Sequence, residues 1–271
     1  MTELINEFYE AMKNEKFDVY GILGPGDKIY TLGTDSKIIG RVFEMFTQPI
    51  LNNIAIKHNL LIRTPQSQTI YPDFIIMRNE DSTEKIAIDV KTTYVGKHNS
   101  TIKFALGSYA SYMRNNTKNI EYKYTDYVKH YVIGFVYRRN EDVQESYVYN
   151  FNHRHNIIAP YKDIRFFIQE KYKIAGDKPG SGNTENIGSI SSTDFNDFKL
   201  GRGPFSELGA DAFDIYWKYY PKFRTQDKAY TCLNEFFDWL PNHIDDIVTL
   251  RPFNRDELLQ RIDRYRQAKG L

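Results

Sequence analysis

The stretch IYPDFIIMRNEDSTEKIAIDVKTTY, Ile70 to Tyr94, decides how the chain is read. Phe74, Ile75, Ile76 and Met77, and later Ile86, Ala87, Ile88 and Val90, have the composition of two buried strands joined by a polar turn from Arg78 to Lys85. Asp73, Asp89 and Lys91 intrude on that pattern, and charges at a strand end cost solvation unless a ligand or partner compensates. Asp89 and Lys91, two residues apart, share one face of a strand while Val90 points to the other. If the two strands pair, Asp73 joins them at one end of the sheet, where two carboxylates repel and call for a cation. Oxygen ligands suit Mg²⁺, which keeps several waters and is often completed by substrate phosphate oxygens. A neighbouring lysine orients or helps deprotonate an attacking water and offsets charge developing on the phosphate. The chemistry described is metal-assisted phosphodiester hydrolysis. Pro-Asp followed at a distance by Asp-x-Lys also arises by chance, so the strand context gives the motif its weight.

Upstream, Leu4, Ile5, Phe8, Ala11 and Met12 fall at helical spacing. FDVYGILGPGDKIYTLG reads as a hairpin about Gly24 to Asp27. A long helix follows from the candidate caps Thr34, Asp35 and Ser36, carries Ile38 to Ile54 with Glu44 among apolar neighbours, and is expected to kink at Pro49. Downstream, the pattern predicts strands near 60–63, 72–78, 85–91, 130–138, 146–151 and 163–174, a helix near 107–116, a Gly/Ser/Asn loop over 176–188, and helices from Asp211 onward. This is an α/β (α+β) chain with hairpins, a central mixed β-sheet flanked by helices, not regular βαβ alternation.

The chain has 271 residues, 41% hydrophobic and 15% aromatic, enough for a large core. A lone cysteine, Cys232, excludes a disulfide framework or CxxC cluster and reads as packing. The charged N-terminus lacks a signal peptide's apolar segment and no run is long enough for a membrane span, so a cytoplasmic protein without a membrane partner is expected. With 36 basic and 35 acidic residues, any DNA-binding surface must be local. His153 and His155 would share a strand face and so could bind a transition metal, but in the polar stretch NFNHRHN they fit a solvated loop better.

FDVYGILGPGDKIYTLGTDSKII, YPDF, KIAIDVKTTY, RNNTKNI and IAGDKPGSGNTENIGSI, in this order, resemble the EcoRV-type family of type II restriction endonucleases, within the PD-(D/E)xK superfamily, over about residues 1–240. The resemblance implies a restriction-endonuclease-like fold and a homodimer with a small dimerisation subdomain around the hairpin at 18–32. It further implies Mg²⁺-dependent cleavage of double-stranded DNA at a palindrome, GATATC, to blunt ends with 5′-phosphates, with Mn²⁺ as a substitute cation. A cognate DNA methyltransferase in the host would be the functional partner. Asp73, Asp89 and Lys91 match the catalytic positions, and Glu44 a further acidic one; Asp73, Asp89 and Glu44 match metal ligands. Gly180, Ser181, Gly182, Asn183 and Thr184 match a major-groove loop, where an Asn amide pairs with adenine and a Thr methyl touches thymine. Gln68 and Thr69 match a minor-groove loop, and Lys118, Thr93, Ser111, Ser36 and Lys37 match positions near the DNA backbone. Departures are Thr69 and Ile70 in place of Asn and His, and Glu185 in place of Thr, a carboxylate that should repel phosphate unless a basic neighbour offsets it. The segment 241–271 is read as a C-terminal helical extension of unknown role, packed on the domain with a solvent-facing side. Two alternatives are a repair or structure-selective nuclease on the same fold, and a DNA-binding homologue without cleavage.

Overall fold

A computed structural model describes residues 2–96, 100–143, 147–180 and 185–271. Helix α1 (Thr2–Lys13) is followed by the hairpin strands β1 (Gly21–Gly24) and β2 (Lys28–Thr31), which pair antiparallel. Strand β8 (Val148–Asn150) adds to β2, so the expected hairpin is part of a small three-stranded sheet. A 3-10 turn, Phe151–Asn156, holds the last residue of the strand expected near 146–151 and carries His153 and His155, and residue 146 lies outside the described residues.

Of the three candidate caps, Asp35 caps helix α2 (Ser36–Lys57), its Oδ1 accepting from Lys37 N–H at 2.7 Å and Ile38 N–H at 3.3 Å. Ile39, Phe43, Thr47, Ile50, Leu51 and Ile54 form its buried stripe, and the helix runs on through Pro49. Phe43 stacks on Phe135 at 4.4 Å between ring centres, so Phe43→Ala would cost about 3–5 kcal/mol.

The central sheet holds β3 (Leu61–Arg63), β4 (Phe74–Met77), β5 (Lys85–Tyr94), β7 (Tyr127–Arg139) and β9 (Tyr161–Glu170), in the order β3-β4-β5-β7-β9. β5 and β7 run parallel and the other neighbours antiparallel, which makes the sheet mixed. Both faces are covered, which is why its strands read as unbroken apolar runs. Phe74, Ile76, Ile86, Ile88 and Val90 face α1 and α2, whereas Ile75, Met77, Ala87 and Val132 face a second core. That second core is built from α4 (Phe195–Lys199), α5 (Phe205–Leu208), α6 (Ala210–Tyr219), α7 (Leu233–Trp239) and α8 (Arg255–Lys269), whose Leu258 and Ile262 are buried in it.

Three sequence expectations are corrected here. Residues 107–116 are not a helix: β6 (Ala105–Ser108) pairs with β11 (Asn186–Ser189), and turns follow in which Ser111 O accepts from Arg114 and Asn115 N–H. Gly107, within β6, takes φ +96, outside the helical range, and a Cβ there would stand 2.4 Å from the Tyr112 hydroxyl. The strand expected over 163–174 stops at Glu170, and Lys171–Ile174 form one helical turn, α3. The loop expected over 176–188 is mostly strand: β10 (Ala175–Pro179) pairs with β11. Ser181, Gly182, Asn183 and Thr184, between those strands, lie outside the described residues.

Candidate active site

The β4–β5 register pairs Phe74 with Ile88, and one step further along it Asp73 falls opposite Asp89. Like charges so placed destabilise a sheet, and basic groups surround them. Lys91 Nζ lies 2.7 Å from Asp89 Oδ1 and 4.0 Å from Asp73 Oδ2. The Val90 N–H donates to Asp73 Oδ2 at 2.6 Å, locking the carboxylate to the neighbouring strand. On the far side, Lys171 Nζ stands 3.4 Å from Asp89 Oδ2. Lys171 is buried, with its ammonium 3.8 Å from the centre of the Tyr71 ring.

These surroundings set the charges. Burial pushes Asp89 up, but Lys91 and Lys171 outweigh it and hold the carboxyl below its usual range. Burial raises Asp73 to about 7 despite Lys91, with the Asp89 charge adding to the rise. Lys91 is desolvated, yet Asp89 and Asp73 keep its ammonium above its ordinary value. Burial lowers Lys171 to about 8, against the pull of Asp89.

A cleft of about 630 Å³, lined among others by Glu44, Gln48, Gln68, Asp73 and Lys91, opens over the sheet end. A smaller hollow of about 250 Å³ shares Gln68, Asp73 and Lys91 with it and runs on past Thr69, Asp89 and Ser111. Ser36 and Lys37 also line the larger cleft. Glu44, on α2, is paired with Arg41 one turn earlier on the same helix at 2.5 Å, both lining that cleft. Among the described residues no three of His, Cys, Asp and Glu form a metal-holding cluster, so Glu44 does not close on the two aspartates. Among the described residues, buried Asp89 Oδ2 accepts no hydrogen bond, and Lys171 stands beside it as an ion pair. The donor set therefore fits a hard divalent cation held by Asp73 and Asp89, its other positions left to water and phosphate.

Thr93 is half-buried on β5, Ser111 is buried with Oγ donating to Ser108 O at 3.4 Å, and Lys118 is exposed on the turn after it. Gly180 N–H donates to Asn186 O at 2.9 Å, closing the base of the loop whose remaining residues lie outside the description. Glu185 accepts from Phe223 N–H at 3.3 Å, so among the described residues a backbone amide answers this carboxylate. His153 and His155 sit in a 3-10 turn, not on a strand face. Cys232, half-buried, is the N-cap residue of α7 rather than lying within a helix. Sequence reading missed Lys171: FFIQEKYKIAG continues a strand-like pattern, and nothing local marks one lysine for burial beside a distant carboxylate.

The model for the restriction endonuclease EcoRV family matches residues 13–241. The chain is 43% identical over 241 residues to the type II restriction enzyme EcoRV of Escherichia coli, covering 88% of this chain and 96% of that protein. A solved structure, the NlaIV restriction endonuclease, is similar with a TM-score of 0.39 and 9% identity over 96% of this chain and 95% of that one, a likeness too remote to bear on the site.

Proposed function

The chain belongs to the EcoRV restriction endonuclease family, and from that membership we propose that Asp73, Asp89 and Lys91 cut double-stranded DNA at GATATC, in its middle, to blunt ends bearing 5′-phosphates. It is a type II restriction endonuclease, a site-specific deoxyribonuclease. The observation that carries the residue roles is Lys91 Nζ bridging the two aspartates at the mouth of the cleft.

Members of this family are PD-(D/E)xK nucleases that generally depend on a metal; Mg²⁺, with Mn²⁺ as a substitute, is proposed here. Asp73 and Asp89 would hold it, and when bound it would polarise the phosphate and acidify a water. Asp89 stays ionised through Lys91 and Lys171, while Asp73 gives up its proton to take part. Lys91, kept charged, sets its ammonium towards the phosphate to offset charge developing in the transition state. Glu44 would join as a ligand only on giving up Arg41.

Gly180, Ser181, Gly182, Asn183 and Thr184 are proposed to read bases in the major groove, with Gln68 and Thr69 in the minor groove; the flexible central TA step suits indirect readout. Lys118, Thr93, Ser111, Ser36 and Lys37 are proposed to approach the backbone, although the burial of Ser111 limits it to its rim. A homodimer matches a palindrome. Its proposed interface is the β1-β2-β8 sheet, where Tyr20, Ile22, Leu23 and Val148 are exposed. A host carrying such an enzyme would need a methyltransferase for the same site. Digesting a plasmid with Mg²⁺ and sequencing every new end tests the reading: flush ends at GATATC are expected, and staggered ends or another hexamer would overturn the site.

A further inference from the structure

A residue beyond the family match is linked to Asp89 by a chain of contacts. Arg251, just before α8, places its guanidinium 4.5 Å over the Tyr124 ring, with Nη1 3.6 Å from Asp214 Oδ2. Its Nη2 faces Tyr127 O at 2.6 Å, His130 Nε2 at 2.9 Å and Tyr124 O at 3.2 Å. A guanidinium only donates, so His130 Nε2 is the acceptor, and in the neutral ring the proton sits on Nδ1, which donates to the Tyr71 hydroxyl at 2.8 Å. The Tyr71 ring stacks on Tyr112 at 4.6 Å and carries Lys171 Nζ on its face at 3.8 Å. Lys171 in turn meets Asp89 Oδ2, and Tyr71 is followed by Pro72 and Asp73 in the chain. The contacts therefore run from Arg251 to the Asp89 carboxylate, with Tyr71 two residues before Asp73 in the chain.

We propose that Arg251, His130, Tyr71 and Lys171 are positioning residues for DNA cleavage: Arg251 selects the His130 tautomer, His130 fixes the Tyr71 ring, and the ring holds the Lys171 ammonium against Asp89. The catalytic carboxylate is then presented in one orientation, and the C-terminal segment is a working part of the nuclease. This rests on reading Asp73, Asp89 and Lys91 as the reacting centre.

The test compares wild type with Arg251→Gln, Arg251→Lys, Tyr71→Phe and the double variant Arg251→Gln/Tyr71→Phe, at a temperature where circular dichroism finds each folded. Single-turnover cleavage, DNA affinity in chelator, and Mn²⁺ affinity of the free protein by electron paramagnetic resonance are measured. Arg251→Gln and Tyr71→Phe should each lower the cleavage rate or Mn²⁺ affinity about 10–100-fold, as support to metal ligands does, with DNA affinity unchanged. The double variant should be no worse than the poorer single, and Arg251→Lys, which keeps one donor, should recover part of the loss. Wild-type rates and Mn²⁺ affinity in Tyr71→Phe, multiplying losses in the double variant, or a loss confined to DNA affinity would overturn the proposal. Should Arg251→Gln fail to fold, Tyr71→Phe, which loses a single oxygen, decides alone. If Asp89→Asn cleaves like wild type, the underlying reading fails instead, and Mn²⁺ affinity still judges the contact chain.

Discussion

The backbone N–H of Val90 donates to Oδ2 of Asp73 at 2.6 Å, and this bond fixes the first carboxylate opposite the second. Because it is made by backbone, side-chain substitutions at position 90 should leave it intact. Val90→Ala, which removes two methyl groups from a buried site, is expected to lower stability by about 1–3 kcal/mol from lost packing against α2, with cleavage chemistry unchanged. Urea unfolding beside single-turnover cleavage checks this.

The raised proton affinity of Asp73 has a sign for stability. An acid whose folded pKa, about 7, lies above the ordinary 3.8 binds more protons in the folded state, so stability is lost as pH rises from about 4 to 7. Asp73→Asn removes that penalty. The metal-free variant should be more stable than wild type at pH 8 by about 1–2 kcal/mol, discounting for the quarter of the side chain still in water, and gain little at pH 4. Cleavage should be lost.

The same carboxyl predicts a pH dependence of metal binding. Divalent cation affinity of the free protein should climb as pH rises through about 7, where Asp73 gives up its proton. Calorimetric titration with Mg²⁺ at pH 6 and pH 8 checks it; equal affinities would remove Asp73 from the ligand set.

Lys91 makes a separable contribution. Lys91→Met should slow cleavage at least about a hundredfold while specific DNA binding in chelator persists, since the lost charge acts on the transition state. Anisotropy with a GATATC duplex beside single-turnover rates distinguishes the two effects.

The exposed apolar sheet predicts assembly. Leu23→Asp, at a residue 64% exposed, should convert a dimer to a monomer in sedimentation at micromolar concentration without changing the far-ultraviolet circular dichroism. A wild-type monomer would contradict the proposed interface.

What the sequence made legible follows from locality. Asp73, Asp89 and Lys91 stand out because charges interrupt runs whose period and composition mark strands, and the start of α2 is legible to within the three candidate caps Thr34, Asp35 and Ser36, of which Asp35 serves. The helix expected near 107–116 is instead strand to Ser108 and turns beyond it: Tyr109, Tyr112 and Met113 are buried at helical spacing, but they follow a glycine at φ +96 in a strand whose partner, β11, lies far along the chain. Lys171, Arg251 and His130 stayed hidden because their meaning depends on partners far along the chain. Glu44 could be placed on its helix, but its pairing with Arg41 is a matter of side-chain geometry.

The central claim is that two aspartates and a lysine present a divalent cation to a scissile phosphate. Single-turnover cleavage of a GATATC duplex by wild type and Asp89→Asn across a Mg²⁺ titration tests it most directly. Wild type should show a saturable metal dependence, and Asp89→Asn should give no detectable cutting at any Mg²⁺ concentration while still binding the duplex. Cutting without added metal, or equal rates in the two proteins, would contradict it.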